Sequence, residues 1–127
     1  MSLELGNIGE LEFQLAATKK GLIVSKPTLN NIVYDLIVDT NNKIYKIQVK
    51  ANFSSGSTFG FNVSKGSNIK RSYSKKEVDY IVCFINYHNI WYIFPIDKLC
   101  KIKKISLFPD AINSRWHKYK DAWHLLK

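Results

Sequence analysis

The period of hydrophobic and polar positions changes several times along this chain, and each change predicts an element. Residues from about 6 to 20 carry apolar side chains at helical spacing and run to Gly21, which can take the left-handed cap position. The wheel is not cleanly amphipathic. Ile8, Leu11 and Leu15 mark one face while Phe13 and Ala17 mark another, a layout that suits a helix contacted on more than one side. Leu22-Ile23-Val24-Ser25 follows as a short strand, stopped by Lys26-Pro27 because proline cannot donate to a ladder.

Two strands, at about 32 to 39 and 43 to 51, then flank the polar run Thr40-Asn41-Asn42-Lys43. A Ser/Gly-rich loop leads to Phe59-Gly60-Phe61-Asn62-Val63 as a further strand, and a helix is expected to begin near Ser67 or Ser74 and stop before Asp79. Tyr80-Ile81-Val82-Cys83-Phe84-Ile85 is short and continuously apolar, as a strand buried on both faces requires. Ile90-Trp91-Tyr92-Ile93-Phe94 returns as its hairpin partner and Pro95 ends it. Ile96 to Leu99 fits a helical turn and Ile102 to Phe108 a strand or extended arm. In the basic tail from Asn113 to Lys127, Trp116, Tyr119 and Trp123 are expected to pack on the core rather than stack on bases.

One hairpin carries chemistry. If residues 40–43 close a loop of two or four residues, Asp39 faces Ile44 and Asp35 falls opposite Gln48, with Lys50 as the diagonal neighbour. Strand alternation then puts Asp35, Gln48 and Lys50 on one face, and Tyr34, Leu36, Val38, Tyr45, Ile47 and Val49 on the other. A three-residue loop would break this register unless a bulge restored it. Charged groups inside a packed strand need partners, a metal ion or an opening to solvent. A cleft for metal and phosphate supplies all three, whereas an exposed cross-strand salt bridge is the plainer explanation of the same pair.

Composition narrows the partners. The 127 residues make one domain, 1–127, too short for a catalytic unit plus a separate DNA-reading domain. With 19 basic against 10 acidic residues the net charge is +9, which favours a polyanion, although a Lys- and Asn-rich chain also reflects genome composition. No stretch approaches the roughly 20 apolar residues of a membrane span, and the N-terminus lacks a signal-peptide layout. Cys83 and Cys100 have no paired spacing, and His88, His117 and His124 are scattered, so neither zinc nor disulfides are expected and the setting is a reducing cytoplasm, at the nucleoid when bound to DNA. Ser64, Lys65, Lys70, Arg71 and Tyr73 form a segment whose cations, hydroxyls and amides suit phosphate, and they are the candidate DNA-binding residues.

The opening Gly6-Asn7-Ile8-Gly9-Glu10, then Tyr34-Asp35-Leu36-Ile37-Val38-Asp39, then Gln48-Val49-Lys50, stand in the order of a helix glutamate, a strand aspartate and a (D/E/Q)xK triplet. In this the chain resembles the PD-(D/E)xK nuclease superfamily. It is most similar to the group I intron-associated homing endonucleases, a likeness that Val78-Asp79-Tyr80 and Tyr92-Ile93-Phe94-Pro95 extend over most of the chain. A Tyr stands where Pro is named in the motif, and Gln48 replaces the acidic residue, as is usual in the intron-associated group.

The resemblance implies an α/β fold: a restriction-endonuclease-like α-β-β-β-α-β core, a mixed sheet flanked by helices, here with an added C-terminal hairpin strand and arm. It implies a metal-dependent endodeoxyribonuclease of the homing type, with Mg²⁺ as cofactor, Mn²⁺ as a substitute, double-stranded DNA as substrate and a homodimer or homotetramer as the assembly. Catalytic residues would be Glu10, Asp35, Gln48 and Lys50. Metal ligands would be Asp35, the Gln48 side chain or the Val49 backbone carbonyl, and Glu10. Periodicity does not choose between Glu10 and Glu12; the resemblance chooses Glu10, with Glu12 the fallback. An ordinary lysine titrates near about 10.4, too high for a general base at neutral pH, so Lys50 is expected to act electrostatically. A junction resolvase or restriction or repair nuclease would share these residues, and an inactive binding module is the third alternative.

Overall fold

Residues 3–66 and 71–127 are described by a computed structural model of the chain. Helix α1 spans Leu3–Lys19 and ends as its sequence dictates. Gly21 adopts φ +85°, the Gly21 N–H donates to the Thr18 carbonyl at 3.0 Å, and the Leu22 N–H donates to the Ala17 carbonyl at 3.1 Å. These are the two bonds of a Schellman cap, which need a residue free to take positive φ.

Nine strands follow among the described residues: β1 (Ile23–Ser25), β2 (Leu36–Asp39), β3 (Ile44–Asn52), β4 (Phe59–Asn62), β5 (Ser64–Lys65), β6 (Arg71–Ser72), β7 (Tyr80–Ile85), β8 (Ile90–Pro95) and β9 (Lys104–Leu107). The main sheet has the order β1-β2-β3-β7-β8, with β3 and β7 parallel and the other neighbours antiparallel. On the face toward α1, Leu36, Val38, Ile47, Val49, Val82, Phe84, Trp91 and Ile93 enclose Phe13 and Ala17. On the other, Ile81, Cys83, Ile85, Tyr92 and Phe94 meet Phe59, Phe61, Ile105 and Leu107 of the β4–β9 ribbon. With apolar layers on both sides, β7 and β8 read as unbroken hydrophobic runs.

The sequence reading of the second helix is corrected here. Ser74 and Glu77 do carry a helix-start signal, since the Ser74 N–H donates to Glu77 Oε1 at 3.0 Å and the Val78 N–H returns to the Ser74 carbonyl at 3.1 Å. Yet β7 begins at Tyr80, which leaves room for a single turn. The residues from Ser67 to Lys70 lie outside those described. Among the described residues α1 is the sole α-helix, so a β-ribbon and not a helix covers the second face. The tail packs as expected, with Trp116 and Tyr119 buried against Phe94. No described helix is long and apolar enough to cross a membrane.

Candidate active site

The site forms where β2 parts from β3. The observed pairs Asp39↔Ile44, Val38↔Tyr45, Ile37↔Lys46 and Leu36↔Ile47 follow the register predicted for a four-residue loop, and the ladder stops one residue before Asp35. Asp35 sits at the break. Its N–H donates to the Ile47 carbonyl at 2.9 Å, while its carboxylate Oδ2 accepts the Val49 N–H at 2.9 Å. The side chain thus takes the place of the strand that β3 has lost, satisfying an amide that would otherwise be orphaned. The same break corrects one assignment: Tyr34 leaves the face shared by Leu36 and Val38 and packs with Val33 against the opposite core.

Glu10 reaches Asp35 because α1 lies close on β3. A Cβ built on Gly9 would come within 3.0 Å of Ala51 Cβ, tighter than ordinary packing allows, so the glycine beside Glu10 permits the approach. Glu10, Asp35, Lys26, Asn7 and Asn30 line one cleft of about 420 Å³. Glu12 lines a different cavity, with Trp91 and Trp123, so of the two glutamates Glu10 is the one that shares a cleft with Asp35. Lys26 Nζ donates to Glu10 Oε1 at 3.1 Å, a contact the sequence reading missed. Pro27, which ends β1 just beyond Lys26, was its one visible signal.

Gln48 and Lys50 alternate with the buried Ile47 and Val49 and lie beside Ile81 and Cys83 of β7. Lys50 Nζ donates to Tyr73 Oη at 3.3 Å and lines a hollow of about 230 Å³ with Gly60, Phe61 and Asn62. The Gln48 side-chain oxygen Oε1 is buried with no hydrogen-bond partner among the described residues. Such an orphan acceptor is costly unless something else approaches it.

Burial pushes the Asp35 carboxyl up to about 6; the Val49 N–H opposes this, the neighbouring Glu10 charge adds to it, and Lys50 and Lys26 pull it back. Among the described residues no group of three or more His, Cys, Asp or Glu side chains stands ready for a metal. The oxygens on offer are instead the two carboxylates of the cleft and, one residue before the Val49 amide that Asp35 accepts from, the amide oxygen of Gln48. That set fits a hard, oxygen-seeking divalent cation which keeps much of its own water, and the buried, unpartnered Gln48 oxygen is the observation that carries the fit.

The candidate DNA-binding residues divide. Ser64 is buried and its hydroxyl donates to Asn62 Oδ1, and Tyr73 is buried beneath Lys50. Lys65 and Arg71 both pair with Glu77, Arg71 through two bonds of 3.0 Å. Lys70 lies outside the described residues.

The sequence profile of the family described as PD-(D/E)XK endonuclease matches residues 2–126. The chain belongs to that family. Among solved structures, this PD-(D/E)XK endonuclease is similar to "a bacterial homing endonuclease", I-Ssp6803I, with a TM-score of 0.85 and 25% identity over 99% of this chain and 93% of that one. A search of curated protein sequences returns no match.

Proposed function

We propose that this endonuclease is a Mg²⁺-dependent, site-specific enzyme of the homing type that cuts double-stranded DNA in the cytoplasm as a homodimer or homotetramer. The observation that carries the reading is a set of under-satisfied oxygens around the β2–β3 break: the Asp35 carboxylate with one described hydrogen bond, Glu10 in the same cleft, and on β3 the Gln48 oxygen, unpartnered among the described residues. Asp35, Glu10 and Gln48 would hold the cation, with the Val49 carbonyl as a further donor. When bound, the cation supplies neutralisation of charge on the phosphate oxygens and acidifies the attacking water.

The rest of the work falls to this chain's own groups. Lys50, fixed by Tyr73, places an ammonium where it stabilises the negative charge that builds on phosphorus oxygens in the transition state. Ser64 and Tyr73 hold the loop and Lys50 from within. Lys65, Lys70 and Arg71 furnish cations for the backbone phosphates, and Arg71 is exposed enough to exchange Glu77 for a phosphate. A duplex has two strands and each chain one site, so a symmetric assembly completes the double cut.

The test is cleavage of a randomised plasmid library with Mg²⁺, alongside Asp35→Ala. Defined ends that the Asp35→Ala protein does not produce support the proposal. Preferential cutting of four-way junctions would reassign the enzyme as a resolvase, and no cutting with any divalent ion would make it a binding module.

A further inference from the structure

A lysine stands inside the acidic cleft. Of the described residues that line it, Glu10 and Asp35 are the acids and Lys26 is the one cation. Its place is set by the sheet. The β1–β2 ladder ends at Ser25↔Ile37, so Lys26 leaves the sheet at the end where Asp35 lies, and Pro27 restricts the chain directly after it. Its ammonium donates to Glu10 Oε1 at 3.1 Å, the one hydrogen bond described for the Glu10 carboxylate.

Two lysine–glutamate pairs in this fold differ in how firmly they are held. Lys65 shares Glu77 with Arg71 and the Ser74 N–H, and its side chain is 25% exposed. The Lys26 side chain is 55% exposed, and a single bond holds it. A lone exposed ion pair is worth little and opens readily. The charges say what would open it. When ionised, Glu10 and Asp35 are balanced by Lys26 and Lys50, so a divalent cation leaves the site with a positive excess, which a phosphodiester answers.

We infer that Lys26 changes partners during the reaction: it neutralises Glu10 before metal binds, and it binds a non-bridging phosphate oxygen of the DNA once Glu10 ligates the divalent cation. Lysine suits such an exchange, because its ammonium is a point charge on a flexible stem with no planar fork to match. Lys50 lines a separate hollow with Gly60, Phe61 and Asn62, so the two lysines approach the site from different sides. The exchange sets metal and phosphate against each other. Lys26 opposes metal binding by holding Glu10 and favours phosphate binding afterwards, so its removal moves the two in opposite directions. The inference rests on the metal-dependent cleavage proposed above, and its metal arm is measured without DNA.

The experiment compares wild type, Lys26→Met and Lys26→Arg in the full chain, with folding checked by circular dichroism; the side chain is exposed enough to take either replacement. In calorimetric titration of Mn²⁺ without DNA, Lys26→Met should bind at least about threefold more tightly than wild type. In a Glu10→Gln background the same substitution should change affinity by less than about twofold, since the pair it breaks is already gone. At saturating Mn²⁺, Lys26→Met should cleave the randomised plasmid library at least about tenfold more slowly, and Lys26→Arg should recover most of that rate. Mn²⁺ bound no more tightly by Lys26→Met, a gain that persists with Glu10→Gln, or wild-type cleavage by Lys26→Met would overturn the inference. A wild type that binds no Mn²⁺ overturns the metal-site reading and the inference together. A wild type whose Mn²⁺ binding is lost with Asp35→Asn but unmoved by Lys26→Met keeps that reading and overturns the inference alone.

Discussion

Two carboxylates show how differently this fold answers the charge of an acid. Glu77 is saturated: Arg71, Lys65 and the Ser74 N–H all donate to it, and the Arg71 guanidinium and then Lys65 hold its carboxyl well below the usual range. Asp35 has one described hydrogen-bond donor, a carboxylate neighbour in Glu10, and a carboxyl raised to about 6 by burial. Glu77 has what it needs from the protein and locks the β5–β6 segment to the turn before β7. Asp35 keeps a larger deficit, and Gln48 on the facing strand carries a buried oxygen with no hydrogen-bond partner among the described residues. Structural carboxylates are satisfied within the fold, whereas a binding carboxylate keeps its deficit for the ligand.

The strongest way to sharpen this contrast is to remove Lys50, the cation proposed to serve the chemistry. Lys50→Ala is expected to lower plasmid cleavage by at least about 100-fold while leaving DNA binding in a gel-shift assay nearly intact. Near-normal cleavage would remove Lys50 from the site.

The second probe is pH. Because the folded Asp35 carboxyl lies near 6 against 3.8 unfolded, the folded state binds the proton more tightly between those values. The stability this contributes is fully present below about pH 4 and is lost as pH rises through about 6. Relative to Asp35→Asn, which stays neutral, the wild type held in chelator should lose on the order of 2 kcal/mol between pH 4 and pH 7 by chemical denaturation. Parallel pH profiles for the two proteins would contradict the burial of this charge.

The smallest effect belongs to the saturated acid. Glu77→Gln should lower the melting temperature by about 2 to 4 °C through loss of its ion pairs, with cleavage reduced far less than by Lys50→Ala.

Much of this arrangement was legible in the chain. The Gly21 cap, the hairpin register and the apolar β7 and β8 rest on local rules, and local rules held. Asp35 and the Gln48–Lys50 triplet came together because a hairpin register propagates from its turn. What was hidden depended on distant contacts. The turn at Ser74 has a helix-start signal but too few residues before Tyr80, and the β4–β9 ribbon that replaces the second helix joins segments far apart in sequence. Tyr34 changed faces because the ladder breaks at Asp35, which alternation alone does not reveal. That Lys26 pairs with Glu10 and Tyr73 with Lys50 is carried by no motif, and these pairings are seen only in three dimensions. The wheel suggested a helix contacted on more than one side, whereas Ile8, Leu11 and Leu15 are exposed in the single chain.

The central claim is that the deficit at Asp35 is a cation site and the saturation at Glu77 is not. Calorimetric titration of Mn²⁺ into the full chain, without DNA, compares wild type, Asp35→Asn and Glu77→Gln directly. The account predicts binding by wild type and Glu77→Gln alike, and loss of at least about tenfold in affinity for Asp35→Asn. Equal binding by Asp35→Asn, or loss confined to Glu77→Gln, would contradict it.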